Sequence, residues 1–388
     1  MRARWALAVV VGLFACNQAR ADEPLSSDAI FGKPVPFSIE SARLRFTHYD
    51  QEGHGFQSQA GPSPGLEQLT VEQPQLEVVA KQGKFTHRLW VPVDVITGAS
   101  ADAIDGWPPP DAITEASHTT EAASIDLTTT YQRDARTQLF FRGGFHIENP
   151  FRSWNLGVGG ARSFADDNTV IAASLNQVFD WLDRFTITGV RLGRAERSST
   201  NGNLSVTQLL SPSTVGYLGY GLTVQLGTLG NTWNVVPLSD GTLGDERLPG
   251  VRHRHSLVAR LAQALPWRGA VKGFYRFYAD NWGVLAHSIE VQLYQRLGPW
   301  FYLRANYRVH YQNGVAFFST RASPDAELRS ADSDLAPFTS QTIGILGAVD
   351  VPFARRIQNL HLDVGYERYF RTNDLRVSMY TCAVGFRF

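Results

Sequence analysis

Stretches of about ten residues that alternate apolar with polar or small side chains recur along almost the whole chain, separated by turn residues. A period of two sends successive side chains to opposite faces of a strand, so each stretch reads as a strand with one dry and one wet face. The stretches are 37–49, 75–82, 85–96, 123–132, 137–147, 153–164, 169–179, 204–210, 215–226, 253–263, 270–279, 284–297, 301–311, 338–350, 360–370 and 377–388. About sixteen strands (14–18) follow, and an even number is what single-chain bacterial barrels contain.

The connections support the same reading. Gly83-Lys84, Arg133 to Arg136, Ala165 to Asn168, Ser211 to Thr214, Ala264 to Arg268 and Gly298 to Trp300 are short. They alternate with long ones at 50–74, 97–122, 180–203, 227–252 and 312–337. Short periplasmic turns and long outer loops are the habit of outer-membrane barrels. With residue 37 starting at the periplasm, every short turn falls on that side and the last strand returns beside the first. After the first residues no apolar run is long enough for a helical span, and only helices and closed barrels satisfy the backbone in lipid. The expected fold is therefore all-β: a single transmembrane antiparallel β-barrel over 37–388, after a cleaved signal peptide.

Residues 1–21 read as that signal. Arg2 and Arg4 form its charged start, Trp5 to Phe14 its apolar centre, and Ala19-Arg20-Ala21 a small-x-small cleavage site. Leu13-Phe14-Ala15-Cys16 is a looser lipoprotein box, and bulky Phe14 argues against it. Residues 22–36 are a short periplasmic segment, too short for a plug domain. Cys16 leaves with the signal and Cys382 remains as one free thiol, which excludes an internal disulfide or redox pair. Lys+Arg and Asp+Glu are equal at 36 each, which argues against nucleic acid as a partner.

Phases can be assigned strand by strand. Phe301, Leu303, Ala305, Tyr307, Val309 and Tyr311 face lipid, leaving Tyr302, Arg304, Asn306, Arg308 and His310 inside. Likewise Ile289, Val291 and Leu293 oppose Glu290, Gln292 and Arg296, and Leu362, Val364 and Tyr366 oppose Asp363 and Glu367. An Arg or Lys on the lipid face at mid-bilayer costs ~2–4 kcal/mol, which forces these charges inward. Arg276, Glu290, Arg304, Arg308, Asp363 and Glu367 thus form a candidate lumen cluster. Opposed charge in a pore sorts solutes; ion pairs that merely fill a polar interior are the alternative. Tyr380, Cys382, Val384, Phe386 and Phe388 share the dry face of the last strand, and Tyr380, Phe386 and Phe388 make a C-terminal signal for the barrel assembly machinery.

Two blocks are distinctive. One is Val93-Asp94-Val95-Ile96-Thr97-Gly98-Ala99-Ser100 with Ala112-Ile113-Thr114-Glu115-Ala116-Ser117. The other is Tyr275-Arg276-Phe277-Tyr278-Ala279-Asp280-Asn281-Trp282-Gly283, followed by His287. With Glu148-Asn149-Pro150-Phe151-Arg152-Ser153 and Asp166-Asp167-Asn168-Thr169, the chain from about residue 85 onward resembles an uncharacterised family of bacterial outer-membrane proteins, catalogued as domain of unknown function 3570. Pro150-Phe151 stands where that family has an Asp-Tyr pair. The resemblance implies an outer-membrane barrel of unassigned activity and no catalytic residues.

Asp280, Asn281, Trp282 and Gly283 read as an outer hairpin tip: two turn acceptors, an aromatic anchor for the outer interface and a permissive glycine. A contact with a ligand or partner at the barrel mouth is the functional alternative. His48, Asp50, His54, Asp280 and His287 are the groups a barrel hydrolase would need near the rim, with nothing to fix their mutual geometry. His253-Arg254-His255 lacks a further metal ligand, Asp166-Asp167-Asn168 lacks the bidentate Glu of a calcium loop, and Gly157 to Gly160 opens no helix for a nucleotide. No metal or cofactor is expected. Three functions stay open. The first is a porin-like channel or transporter with a small solute in a charged lumen. The second is a non-conducting scaffold or export partner, holding a periplasmic or surface protein through loops 97–122 and 312–337. The third is a barrel hydrolase. Outer-membrane lipid is the partner common to all three.

Overall fold

A computed structural model describes residues 36–53, 69–101, 113–115, 120–148, 151–185, 191–230, 234–352 and 357–388. The signal peptide, residues 22–35, His54, Pro150 and the Trp107 to Pro110 run lie outside the described residues. Nineteen strands occur in order. They are β1 (Phe37–Gly53), β2 (Leu69–Gln82), β3 (Phe85–Ala101), β4 (Ile113–Glu115), β5 (Thr120–Gln132), β6 (Thr137–Glu148), β7 (Phe151–Phe164), β8 (Thr169–Phe185), β9 (Arg191–Ser211), β10 (Thr214–Gly227), β11 (Val235–Pro237), β12 (Leu243–Asp245), β13 (Val251–Leu265), β14 (Gly269–Asp280), β15 (Leu285–Arg296), β16 (Phe301–Gln312), β17 (Phe338–Pro352), β18 (Asn359–Arg371) and β19 (Leu375–Arg387). A short 3-10 helix, Ser333–Leu335, lies between β16 and β17.

Sixteen of the strands are staves of one closed antiparallel sheet, and each pairs with the next along the chain. Short β4 only extends the end of β3, through Ala99 opposite Glu115. Strands β11 and β12 pair with each other in a loop. The ring closes between first and last staves, from Ser41 opposite Arg387 to Gly53 opposite Leu375. Phe388 adds a backbone bond to the Glu40 carbonyl at 3.0 Å. Closure leaves no unpaired edge, the condition for placing strands in lipid.

The faces follow the period of two. Ile289, Val291 and Leu293 are 46–56% exposed, whereas Glu290 between them is 9% exposed. Leu44, Phe46, Leu156, Val158, Leu175, Ile343, Ile345, Leu362 and Val364 continue the outward apolar belt. Such a belt far exceeds the apolar patches that soluble monomers tolerate. Together with closure it makes this a barrel of the bacterial outer membrane. No helix among the described residues is long and apolar enough to cross a membrane.

One expected loop is corrected. Residues 180–203 are mostly strand: β8 runs to Phe185 and β9 starts at Arg191. These extensions lack an apolar face, so the alternation fades although pairing continues. Polar contacts between neighbours, such as Arg197 Nε to Asp180 Oδ2 at 2.6 Å, hold them together instead.

Candidate functional site

Inward-facing side chains of the staves make the wall of the lumen, and its charges are arranged by register. Glu290 on β15 stands opposite Arg308 on β16, and Arg308 Nε donates to Glu290 Oε2 at 2.8 Å. Arg304 on β16 donates to Glu367 on β18 at 3.3 Å, reaching over β17. The residue bridged is Gly344, where a Cβ would come 2.6 Å from Asn306 Oδ1 and 2.7 Å from Glu367 Cγ. A side chain there would close the path.

Asp363 does not join those four. Its side chain is 2% exposed and accepts from Arg43 on β1, across β19. His361 Nε2 lies 3.0 Å from the same Asp363 oxygen, and His361 Nδ1 lies 2.7 Å from Asp350 Oδ1. A chain of carboxylate, imidazole, carboxylate and guanidinium therefore runs round β17, β18 and β1. Among the described residues Arg276 has no carboxylate partner; its Nε donates to Ser256 Oγ at 3.1 Å.

The phase of 360–370 places His361 inward beside Asp363, but sequence reasoning missed Arg43, Asp350 and the pairs Arg142–Asp126, Arg197–Asp180 and Arg252–Asp280. The alternation of β1 marks Arg43 as inward. Nothing local marks a partner two staves away.

At the long-loop end the hairpin tip folds as a network. Asp280 Oδ1 accepts from the Trp282 and Val284 amides at 3.0 and 2.9 Å. Asp280 Oδ2 accepts from Arg252 at 2.6 Å and from the Tyr278 hydroxyl at 2.9 Å. Asn281 Oδ1 accepts from the His253 amide at 2.7 Å. Gly283 sits at φ +95°, a conformation that disfavours any side chain. Trp282 is a correction: it is no interfacial anchor. It is 7% exposed, its Nε1 donates to the Val251 carbonyl at 2.9 Å, and it packs with Val284, Val315 and Leu335 against Phe317. Segment 313–337 covers it, supplying apolar groups that removed the indole from the interface.

That segment and 234–250 share a second small core of Val236, Leu238, Ala322 and Ala331. The 3-10 helix is held by inward-facing residues of the wall. Gln312 Nε2 donates to the Asp334 and Ala336 carbonyls at 2.7 and 2.8 Å, and Arg371 reaches Asp334 at 2.8 Å. The loop thus folds into the mouth. Burial beside Asp334 and Glu246 pushes the Asp332 carboxyl up to about 7.

The hydrolase set is not assembled. His48 faces outward and bonds Glu72 at 2.7 Å, Asp50 lies beside outward Thr70, and His287 points outward to the Tyr275 hydroxyl at 2.9 Å. Asp280 alone among the described members faces inward. His253 and His255 are also on the outer face, His255 beside the Tyr220 hydroxyl at 2.7 Å. Among the described residues no group of three candidate ligands could hold a metal. Asp166 and Asp167, with Ala165 before them, have φ values of 50–68° in a tight turn. Phe388 and Tyr380 are 37% and 50% exposed on the outer face of β19, and Phe386 shares it.

The family described as "Protein of unknown function (DUF3570)" matches residues 108–381. No curated protein matches the chain. Among solved structures, a BenF-like porin from Pseudomonas fluorescens Pf-5 aligns at 11% identity and TM-score 0.44, over 90% of this chain and 99% of that one. OccD3 (OpdP) of Pseudomonas aeruginosa aligns at 9% identity and TM-score 0.45, over 92% and 95%. A bacterial polysaccharide outer membrane secretin aligns at 10% identity and TM-score 0.44, over 89% and 98%.

Proposed function

The chain belongs to the DUF3570 family, whose function is unknown, and from that premise we propose that it is a solute channel of the bacterial outer membrane. One observation carries the reading: the ion pairs formed by the lumen cluster run round the wall, joining staves no more than two apart. Each stave lies close only to its two neighbours. Glu290–Arg308 joins adjacent staves, and Arg304–Glu367 and Arg43–Asp363 span one stave in between. Pairs laid along the wall neutralise it without filling the centre, and rings of sixteen to eighteen staves leave an aqueous passage.

The lumen cluster then acts on selectivity. Arg304 and Arg308 lie four residues apart on one face of one strand, about 13 Å along it, so the cluster acts at two levels of the pore. The hairpin tip from Asp280 to Gly283 is a support for the folded loop at the mouth, and the aromatic end of β19 is the signal for assembly. Residues 1–21 serve as the export signal and 22–36 as a periplasmic lead.

The scaffold reading has less support. Segment 313–337 uses its apolar residues on its own cores, leaving fewer to hold a second protein.

Purified protein in a planar bilayer should conduct in discrete steps, and Arg304→Ala or Arg308→Ala should shift the step size. A folded barrel that inserts yet passes no ions would overturn the proposal.

A further inference from the structure

Three lumen cations, Arg276 among them, differ from the ion-paired ones described above. Arg276, Arg260 and Lys272 occupy successive inward rows on β13 and β14. Arg276 stands opposite Val258, Arg260 opposite Phe274, and Lys272 opposite Ala262. Among the described residues none has a carboxylate within ion-pair distance. They rest on aromatic rings instead. The Arg260 guanidinium lies 5.0 Å from the Tyr217 ring centre and 5.6 Å from that of Phe274. Lys272 Nζ lies 4.3 Å from the Tyr294 ring, and Arg276 lies 5.8 Å from the Tyr278 ring.

The two kinds of partner have different consequences. A guanidinium paired with a carboxylate is neutralised, and its donors are occupied. One lying on a ring keeps its full charge and most of its donors, while the contact is still favourable by about 0.5–2 kcal/mol. The nearest carboxylate along the wall, Glu290, is engaged by Arg308 and by Gln292. Asp280, at the top, is engaged by Arg252. Uncompensated positive charge therefore descends this side of the lumen.

Spacing makes it a path. Rows two residues apart along a strand are separated by about 6.6 Å. That is within the Debye length of about 8 Å at physiological salt, so an anion leaving one cation already feels the next. The Arg side chains present planar forks that match carboxylates, and the rings beside them offer apolar surface to the rest of a molecule.

We propose that the β13–β14 wall is a track for small organic carboxylates, with Arg276, Arg260 and Lys272 as consecutive contacts and Tyr217, Phe274, Tyr278 and Tyr294 as its apolar bed. The proposal rests on the channel reading and names the solute class for it. Inward rows descend from Arg276 toward the short-turn end, so a carboxylate entering at the mouth meets the three cations in that order.

The test is ion selectivity in planar bilayers, read as the zero-current potential across a potassium chloride gradient, then with potassium benzoate on one side. Wild-type protein should favour anions, and benzoate should carry current or reduce chloride current by occupying the track. Arg260→Gln with Lys272→Gln and Arg276→Gln should abolish the anion preference. Lys272→Gln alone should shift it in the same direction by less, which keeps the test available if the triple variant does not fold. Arg162→Gln removes the same charge from the outer face of β7 and should leave the potential where it was. A conducting wild-type protein that favours cations, or a folded triple variant with unchanged selectivity, overturns the track and leaves the channel standing. A barrel that never conducts overturns both.

Discussion

Two sides of one lumen handle the same residue types in opposite ways. On the side made by β17, β18, β19 and β1, Arg43, His361, Asp350 and Asp363 form a continuous chain of polar contacts that ends on the Arg43–Asp363 ion pair. On the side made by β13 and β14, Arg260, Lys272 and Arg276 lie on rings. The first arrangement uses charge to join staves. The second leaves charge for whatever passes. Inward charge in a barrel is thus not one class of feature, and the partner decides which role a residue has.

The sharpest way to break this comparison is to remove one cation from each side. Arg43→Met takes from the buried Asp363 carboxylate its guanidinium donor, leaving His361 and the more distant charge of Arg45. Breaking a buried pair at one end costs on the order of 3 kcal/mol. Urea unfolding in detergent micelles should register that loss, and selectivity should change little. An unchanged urea midpoint would mean that the pair is not structural.

The mouth adds a response to pH that neither wall supplies. Asp332 is half-buried, with desolvation, Asp334 and Glu246 disfavouring its charge and Arg371 favouring it, and its carboxyl is pushed up to about 7. The folded loop therefore binds a proton that the unfolded loop, with a carboxyl near 3.8, releases earlier. Its stability is fully present below about pH 4 and falls as pH rises toward about 7. Hydrogen exchange across 313–337 should be slower at pH 5 than at pH 8 after correction for intrinsic rates, and Asp332→Asn should flatten the difference. Equal protection at both values in the unaltered protein would refute it.

The smallest effect on stability belongs to the ring-bound wall. Lys272→Met should cost no more than about 1 kcal/mol, since a cation over a ring contributes little at a wet site. A loss as large as that of Arg43→Met would make the two walls alike and dissolve the distinction.

Much of this architecture was legible in the sequence, because a barrel writes its two faces into every stave. Each of the sixteen alternating stretches falls on a stave of its own, with 284–297 overrunning β15 by one residue at each end and 377–388 overrunning β19 by one, and the inward placement of Glu290, Arg304, Arg308 and Glu367 follows from phase alone. What stayed hidden depends on distance along the chain. The Arg43–Asp363 partnership spans 320 residues, and Arg304 reaches Glu367 only because Gly344 lies between them. Trp282 carries an interfacial residue's signature and is nonetheless buried, because what covers it comes from 313–337. The polar ends of β8 and β9 hid for another reason: alternation vanishes where a strand leaves the lipid.

The central claim is that neighbouring residues of one stave face lipid and water respectively, and β19 allows a direct measurement. Cys382 is exposed on the outer face among apolar neighbours, whereas Thr381 beside it points inward. In proteoliposomes of Cys16→Ser protein, a charged, membrane-impermeant maleimide should leave Cys382 unmodified. The same reagent should label Thr381→Cys in a chain that also carries Cys382→Ser. Labelling of Cys382 with protection of position 381, or equal labelling of both, would contradict the account.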